Sequence, residues 1–395
     1  MTDPRPFKSG RHFLQIPGPS NTPDRVLRAM ARPTIDHRGP EFAQLTSTIL
    51  DRLKAVFQTS QPVLLFPSSG TGAWEAALVN TTSPGDRVLG FETGQFAVQW
   101  RNVANRLGLA VEWIESDWRH GVDPSVVEAK LSQDGNHAIK AVMVAHNETS
   151  TGITSRVAAV RQAIDSAAHP ALLLVDAVSS LGSIEYRHDD WGVDVTICAS
   201  QKGLMLPPGI GFNAVSEKAV AASESAAFHR SYWDWGPILE MNERGFFPYT
   251  PPTNLLFGLD VALDMLLQEG LANVFARHHR LAAATRAAVE EWGLEMCAIE
   301  PSERSDTLTA VLMPEGHDAD ELRRLILDRF DLSLGTGLGK VKGRVFRIGH
   351  LGDLNELMLA GTLCGVEMGL GLAGVPHNSG GVDAALKYLA HSSVG

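Results

Sequence analysis

Residues 171–203, ALLLVDAVSSLGSIEYRHDDWGVDVTICASQKG, hold two short apolar runs with a polar residue at or just beyond each end. The first, 171–178, carries Asp176; the second, 193–200, leads straight into Gln201 and Lys202. Near-continuous apolar strands alternating with helices belong to a mainly parallel sheet covered on both faces. Such a sheet collects ligands at the carboxyl ends of its strands. Towards the N-terminus, 157–168 (VAAVRQAIDSAA) has helical spacing. Further strands are expected at 138–146 (AIKAVMVAH), 109–115 (LAVEWIE), 86–91 (DRVLGF) and 63–66 (VLLF). In 41–57 the residues Phe42, Leu45, Ile49, Leu53 and Val56 fall three or four apart, which is one face of a helix.

Towards the C-terminus the prolines of 248–253 break the pattern. One long helix is expected over 255–293, followed by LTAVLM (308–313), a helix over 318–330 and RVFRIG (344–349). The fold class is therefore α/β: a large domain with a mainly parallel sheet plus a smaller C-terminal α+β domain. The division expected is an extended N-terminal arm (1–20), a large domain (21–265) and a small domain (266–395). The Gly-rich stretch 335–340 (GTGLGK) matches no phosphate-binding motif and reads as a mobile loop. Residues 357–375 (LMLAGTLCGVEMGLGLAGV) are interrupted by Glu367 and glycines and read as a buried amphipathic helix, not a membrane span.

Composition narrows the function. The 395 residues carry 34 basic and 45 acidic side chains, a net charge of −11, with no basic run. That disfavours sequence-independent nucleic-acid binding. The three cysteines, Cys198, Cys297 and Cys364, are an odd number without metal-ligand spacing, so a reducing compartment is expected. The first residues, MTDPRPFKSG, lack the apolar core of a signal peptide.

The residues with chemical potential lie at strand ends. A lysine such as Lys202, partly desolvated at the mouth of a sheet, can form a Schiff base; taken singly, it is more often a surface turn residue. Asp176, after five apolar residues, needs a cationic partner if buried: a metal, a ribose hydroxyl or a protonated pyridine nitrogen are open, as is a turn or capping role. The loop holding Ser69, Gly70 and Thr71 lies between a strand and a helix, where free N–H groups and the helix dipole favour a phosphate; a plain turn is the alternative. Phe96 follows a strand end and can stack on a planar ring, although an aromatic there is more often core. Arg344 and Arg347 sit on opposite faces of the expected strand, so one of them can reach the crevice and clamp a carboxylate. As a set, these parts fit pyridoxal 5'-phosphate acting on an amino acid.

At this point the chain resembles the class V aminotransferases of the serine/alanine–glyoxylate aminotransferase family. The motifs are PGPSNTP (17–23), IDHRGPEF (35–42), SSGTGAWEAALVN (68–80), HNETSTG (146–152), VDAVSSLGS (175–183), ASQKGLMLPPG (199–209), PYTPPTNLLFGL (248–259) and FRIGHLG (346–352). The resemblance implies a pyridoxal-phosphate enzyme of fold-type I, a homodimer with active sites shared between subunits. It implies Lys202 as the cofactor lysine, Asp176 on the pyridine nitrogen, and Gln201 with Ser69, Gly70 and Thr71 on the phosphate. Thr149 lies near the ring hydroxyl and Val178 packs on the ring. Tyr249 and Thr250 reach the neighbouring subunit's cofactor, and Arg347 binds the substrate carboxylate. Phe96 replaces the Trp of many relatives, and Phe247 replaces a phosphate-binding Tyr of some. The activity implied is transfer of an amino group to glyoxylate, giving glycine and a 2-oxo acid. Serine is the first-choice donor, with alanine and aspartate as alternatives; for aspartate, Arg38 or Arg244 would meet the second carboxylate. The peroxisomal tail common in the family is absent from the ending HSSVG, which favours a cytoplasmic enzyme. Two other classes compete: a lyase or desulfurase of the same fold, which needs a mobile reactive thiol, and a non-enzymatic binding protein, which needs neither Lys202 nor Asp176.

Overall fold

The computed structural model describes residues 9–392, so the first eight residues of the expected arm and the last three of the C-terminal tail lie outside the described residues. The first half runs β1 (Phe13–Gln15), α1 (Asp24–Met30), α2 (Pro40–Phe57), β2 (Val63–Ser68), α3 (Gly70–Thr81), β3 (Arg87–Phe91), α4 (Gln95–Arg106), β4 (Ala110–Ile114), α5 (Pro124–Gln133), β5 (Ile139–Ala145), β6 (Asn147–Glu148), β7 (Ile153–Thr154), α6 (Val157–Ser166), β8 (Leu172–Asp176) and β9 (Val195–Ala199). The second half runs β10 (Gly209–Val215), α7 (Glu217–Ser225), α8 (Trp235–Asn242), α9 (Thr253–Glu269), α10 (Leu271–Glu291), β11 (Glu295–Met296), β12 (Leu308–Leu312), α11 (Ala319–Phe330), β13 (Leu332–Thr336), β14 (Val345–Gly349), α12 (Glu356–Leu372) and α13 (Gly381–His391).

Seven strands form the large sheet in the order β2-β10-β9-β8-β5-β3-β4. Only β10 runs against the rest, antiparallel to both β2 and β9. Alternate side chains feed two cores. Leu65, Leu173 and Val175 join α2 and α9 on one face, while Leu64, Phe66, Leu172 and Leu174 join α3 and α4 on the other. Both faces being covered explains why these strands read as unbroken apolar runs. The carboxyl ends of β2, β5, β8 and β9 therefore share one edge.

The second sheet has the order β1-β13-β14-β12-β11, with its own core on α10, α11, α12 and α13. Its outermost strand is β1, from the N-terminal segment, paired in parallel with β13 through Phe13↔Leu332 and Leu14↔Ser333. That segment is thus a sheet strand at 13–15.

Two expectations need correction. The stretch 335–340 is not a loop throughout, because Gly335 and Thr336 complete β13. Its glycine serves packing: a Cβ on Gly335 would meet the Pro17 ring at 2.7 Å and the Arg347 side chain at 3.0 Å. The helix expected over 255–293 is two helices, broken at Gly270, which has φ 83° and ψ 131°. The amphipathic helix expected at 357–375 forms over 356–372, one side buried and Leu357 82% exposed on the other. No described helix is long and apolar enough to cross a membrane.

The Gly270 break turns the chain out of the large sheet's core. An added Cβ there meets nothing closer than Asn273 at 3.7 Å, so substitution costs backbone strain and not a clash. Gly270→Ala is expected to destabilise by about 1–2 kcal/mol. A lowered urea midpoint with unchanged turnover of the folded enzyme is the expected result; an unchanged midpoint would contradict the account.

Candidate functional site

Asp176 is the last residue of β8, and Lys202 lies in the turn after β9. Both are buried. The Val178 N–H donates to Asp176 Oδ1 at 2.8 Å and the Trp74 indole donates to Oδ2 at 3.0 Å. Burial pushes the Asp176 carboxyl up to about 7, reinforced by Glu148 and opposed by Val178, Trp74 and Lys202. Burial pushes the Lys202 ammonium down to about 7; the Arg347 guanidinium acts the same way, against Asp176 and Glu148. A desolvated amine near neutrality is what a lysine needs to attack a carbonyl or move a proton.

The N-terminal segment covers this lysine. Lys202 Nζ donates to the Pro17 carbonyl. Ser20 Oγ donates to the Lys202 carbonyl at 2.8 Å, and the Ser20 N–H to the Gln201 carbonyl at 2.9 Å. Gly18 has φ +105°, and a Cβ on it would fall onto the Lys202 side chain, so only glycine lets the chain pass here.

Arg347 lies on β14 and is 6% exposed, whereas Arg344, just before the strand, is exposed. The strand expected from 344 starts at Val345, so the pair differs in burial and not as two faces of one strand. Arg347 Nε donates to the Thr336 carbonyl at 2.8 Å and Nη1 to the Thr149 carbonyl at 2.7 Å. These bonds hold the guanidinium plane and leave Nη2 without a protein acceptor among the described residues. Burial lowers its pKa to about 10, so it stays charged at neutrality. The Thr149 hydroxyl donates to Ser179 Oγ at 2.8 Å, and Asn147 Nδ2 donates to Ser179 Oγ at 2.7 Å and to Thr307 Oγ1 at 2.9 Å. This buried network ties the large-sheet edge to the second sheet.

Ser69 is the N-cap of α3 but makes no side-chain cap bond, so the helix N-terminus is open to an anion. Gly70 is buried and packed: an added Cβ would lie 2.9 Å from Val178 and 3.5 Å from Ala199. Thr71 is exposed. The Gln201 amide has a buried oxygen without a partner; turned over, it presents N–H donors instead. A helix terminus, a buried amide and a buried carboxylate fit the phosphate and ring nitrogen of pyridoxal phosphate. Phe96 sits in the first turn of α4, partly buried.

Lys202, Asp176, Thr149, Val178, Gln201, Arg347 and the α3 terminus are thus brought to one edge. Tyr249 and Thr250 are not joined to Lys202 within this chain. Tyr249 donates its hydroxyl to the Leu65 carbonyl and stacks on Phe247 at 5.8 Å, and Thr250 is exposed. Arg38 and Arg244 are both exposed.

Two residues at the site go unread in the sequence. Trp74 is one, in the quoted AWEAALVN. The other is Glu148, fully buried, which accepts from the N–H groups of Phe96 (3.3 Å), Ala97 (2.9 Å) and Ser150 (3.0 Å) and from Ser150 Oγ (2.7 Å). It caps α4 from outside and so fixes Phe96. The signal for Glu148 lay in HNETSTG, where an acid between polar residues follows a strand.

The thiols do not suit a desulfurase. Cys198 is buried inside β9 and its thiol is pushed strongly up by burial, Cys297 is pushed up to about 11 by burial, and Cys364 lies exposed on α12.

Known proteins match along almost the whole chain. The serine–glyoxylate aminotransferase of Methylorubrum extorquens is 51% identical over 97% of both chains. The L-aspartate–glyoxylate aminotransferase of Paracoccus denitrificans is 46% identical over 96% of both. Among solved structures, the pyridoxamine–pyruvate aminotransferase of Mesorhizobium loti superposes with a TM-score of 0.90 at 29% identity, over 98% of each chain. The family model for class-V aminotransferases matches residues 12–339, and on that match the chain belongs to the class-V aminotransferases.

Proposed function

We propose that this aminotransferase uses pyridoxal 5'-phosphate to move the amino group of L-serine to glyoxylate, giving glycine and a 2-oxo acid. One observation carries the reading: a buried lysine amine poised near neutrality beside a buried carboxylate, with the Arg347 guanidinium facing the same space. The likeness to relatives named for glyoxylate supports the acceptor, and the 51% identity to one named for serine supports the donor. Aspartate and alanine stand as alternative donors.

Bound at this edge, the cofactor supplies the electron sink for the charge left when the donor loses its α-proton. The chain does the rest. Lys202 Nζ takes the proton from the donor α-carbon and holds it for return. Asp176 accepts a hydrogen bond from the ring nitrogen and favours its protonated form. The α3 terminus with Ser69, Gly70, Thr71 and Gln201 neutralises the phosphate. Val178 and Phe96 would hold the ring, and Thr149 would meet its hydroxyl. Arg347 binds the α-carboxylate common to donor and acceptor. The three free thiols support a reducing, cytoplasmic setting. The PYTPPT segment, with Thr250 exposed, supports a homodimer in which Tyr249 and Thr250 approach the second subunit's cofactor.

Three measurements test this. Incubation with glyoxylate and separate amino acids should give glycine fastest from serine. No glycine from any donor would refute the activity, and faster use of alanine or aspartate would refute the donor.

Arg347→Lys should lower kcat/KM for serine, alanine, aspartate and glyoxylate alike by about 10- to 100-fold, since a bidentate charge-assisted pair is lost. Arg344→Lys should stay near the parent value; the opposite ranking would move the clamp to Arg344. In sedimentation at assay concentration the active species should be a dimer, and a fully active monomer would exclude shared sites.

A further inference from the structure

Trp74 is the fifth residue of α3, whose first turn faces the phosphate in the reading above. The indole is 3% exposed and stacks on Trp100 with centroids 6.1 Å apart and planes 15° from parallel. The two indoles differ in one respect. Trp100 Nε1 is buried with no partner, whereas Trp74 Nε1 donates to Asp176 Oδ2 at 3.0 Å. Packing explains the ring of Trp100, but the N–H of Trp74 has a specific acceptor.

That acceptor is confined. The Val178 N–H holds Oδ1 at 2.8 Å, so the two donors together set the rotation of the carboxylate plane, a torsion that is otherwise broad. Other groups also act on Asp176. Glu148 disfavours its charge and Lys202 favours it, while Tyr186 and Cys198 are close enough to feel it. A donor on each oxygen favours the ionised form.

We infer that Trp74 is a positioning residue for the cofactor's ring nitrogen: its indole N–H orients the Asp176 carboxylate towards it. Helix α3 then holds the cofactor at both ends, the phosphate directly at its first turn and the ring nitrogen through Trp74 and Asp176. This rests on the pyridoxal phosphate reading.

The test uses the full chain freed of cofactor and titrated with two ligands. One is pyridoxal phosphate; the other is its analogue with a carbon in place of the ring nitrogen. Trp74→Phe should weaken pyridoxal phosphate by about tenfold and the analogue by less than about twofold, because only the first ligand uses the Asp176 contact. Trp100→Phe, which removes an indole without an acceptor, should affect both ligands equally. An equal penalty on both ligands from Trp74→Phe, or none on either, overturns the inference.

Should Trp74→Phe fail to fold, the unaltered protein answers instead. The Trp74 indole ¹⁵N–¹H resonance should shift more on binding pyridoxal phosphate than on binding the analogue; an identical shift overturns the inference. If the unaltered protein takes up no pyridoxal phosphate at all, the cofactor reading itself falls, and this inference with it.

Discussion

Two ionisable groups sit at neighbouring strand ends where water scarcely reaches, and the site depends on how the fold tolerates them. Burying an isolated charge is costly, and a protein usually answers by pairing it or shifting its pKa. Here both happen. Asp176 is drawn up and Lys202 down towards neutrality, while N–H donors from the turn after β8 and from α3 meet the carboxylate and a carbonyl of the N-terminal segment accepts from the amine. The arrangement is poised: an amine that sheds its proton near pH 7 works as a nucleophile or a proton carrier without a large free-energy penalty.

Glu148 imposes a second constraint from the same edge. Its carboxylate is spent on the first turn of α4, where the N-cap Gly94 has no side chain to offer. An acid at a helix N-terminus is stabilised by the exposed N–H groups and the dipole. The same contact fixes the backbone of Phe96, so one buried carboxylate links the start of α4 to the segment that carries Thr149. Through Ser179 and Thr307 that segment also meets the second sheet, so the placement of Arg347 is tied to that of the turn after β8.

The large sheet was legible because both of its faces are covered, which leaves runs such as LLLV with no polar interruption. β10 escaped notice because Gly209, Gly211 and Asn213 dilute its run; Gly211 is needed where an added Cβ would lie 2.9 Å from the Ser69 carbonyl. β13 was hidden for a related reason, its Gly335 making room for Pro17 and Arg347. The Gly270 break carried a visible glycine, but helical spacing continues on both sides of it. Among site residues, Lys202, Asp176 and Arg347 announce themselves as charges within apolar surroundings. Trp74 and Glu148 act through a partner distant in sequence, and no local pattern encodes a contact between residues 74 and 176.

The pairing of β1 with β13 bears on how the protein is made. Gln15 donates to the Gly349 carbonyl across 334 residues, and Phe13 pairs with Leu332. Synthesis runs from the N-terminus, and domains tend to fold as their residues emerge. The large sheet, and with it the contacts of Pro17 and Ser20 to Gln201 and Lys202, can assemble while its C-terminal partner is still on the ribosome, but β1 cannot pair until β13 has been made. The pairing of β1 therefore waits for nearly the whole chain, and such long-range closure is slow. A chain ending before β13 would hold the cover only through its contacts to Gln201 and Lys202, without the pairing that anchors its start.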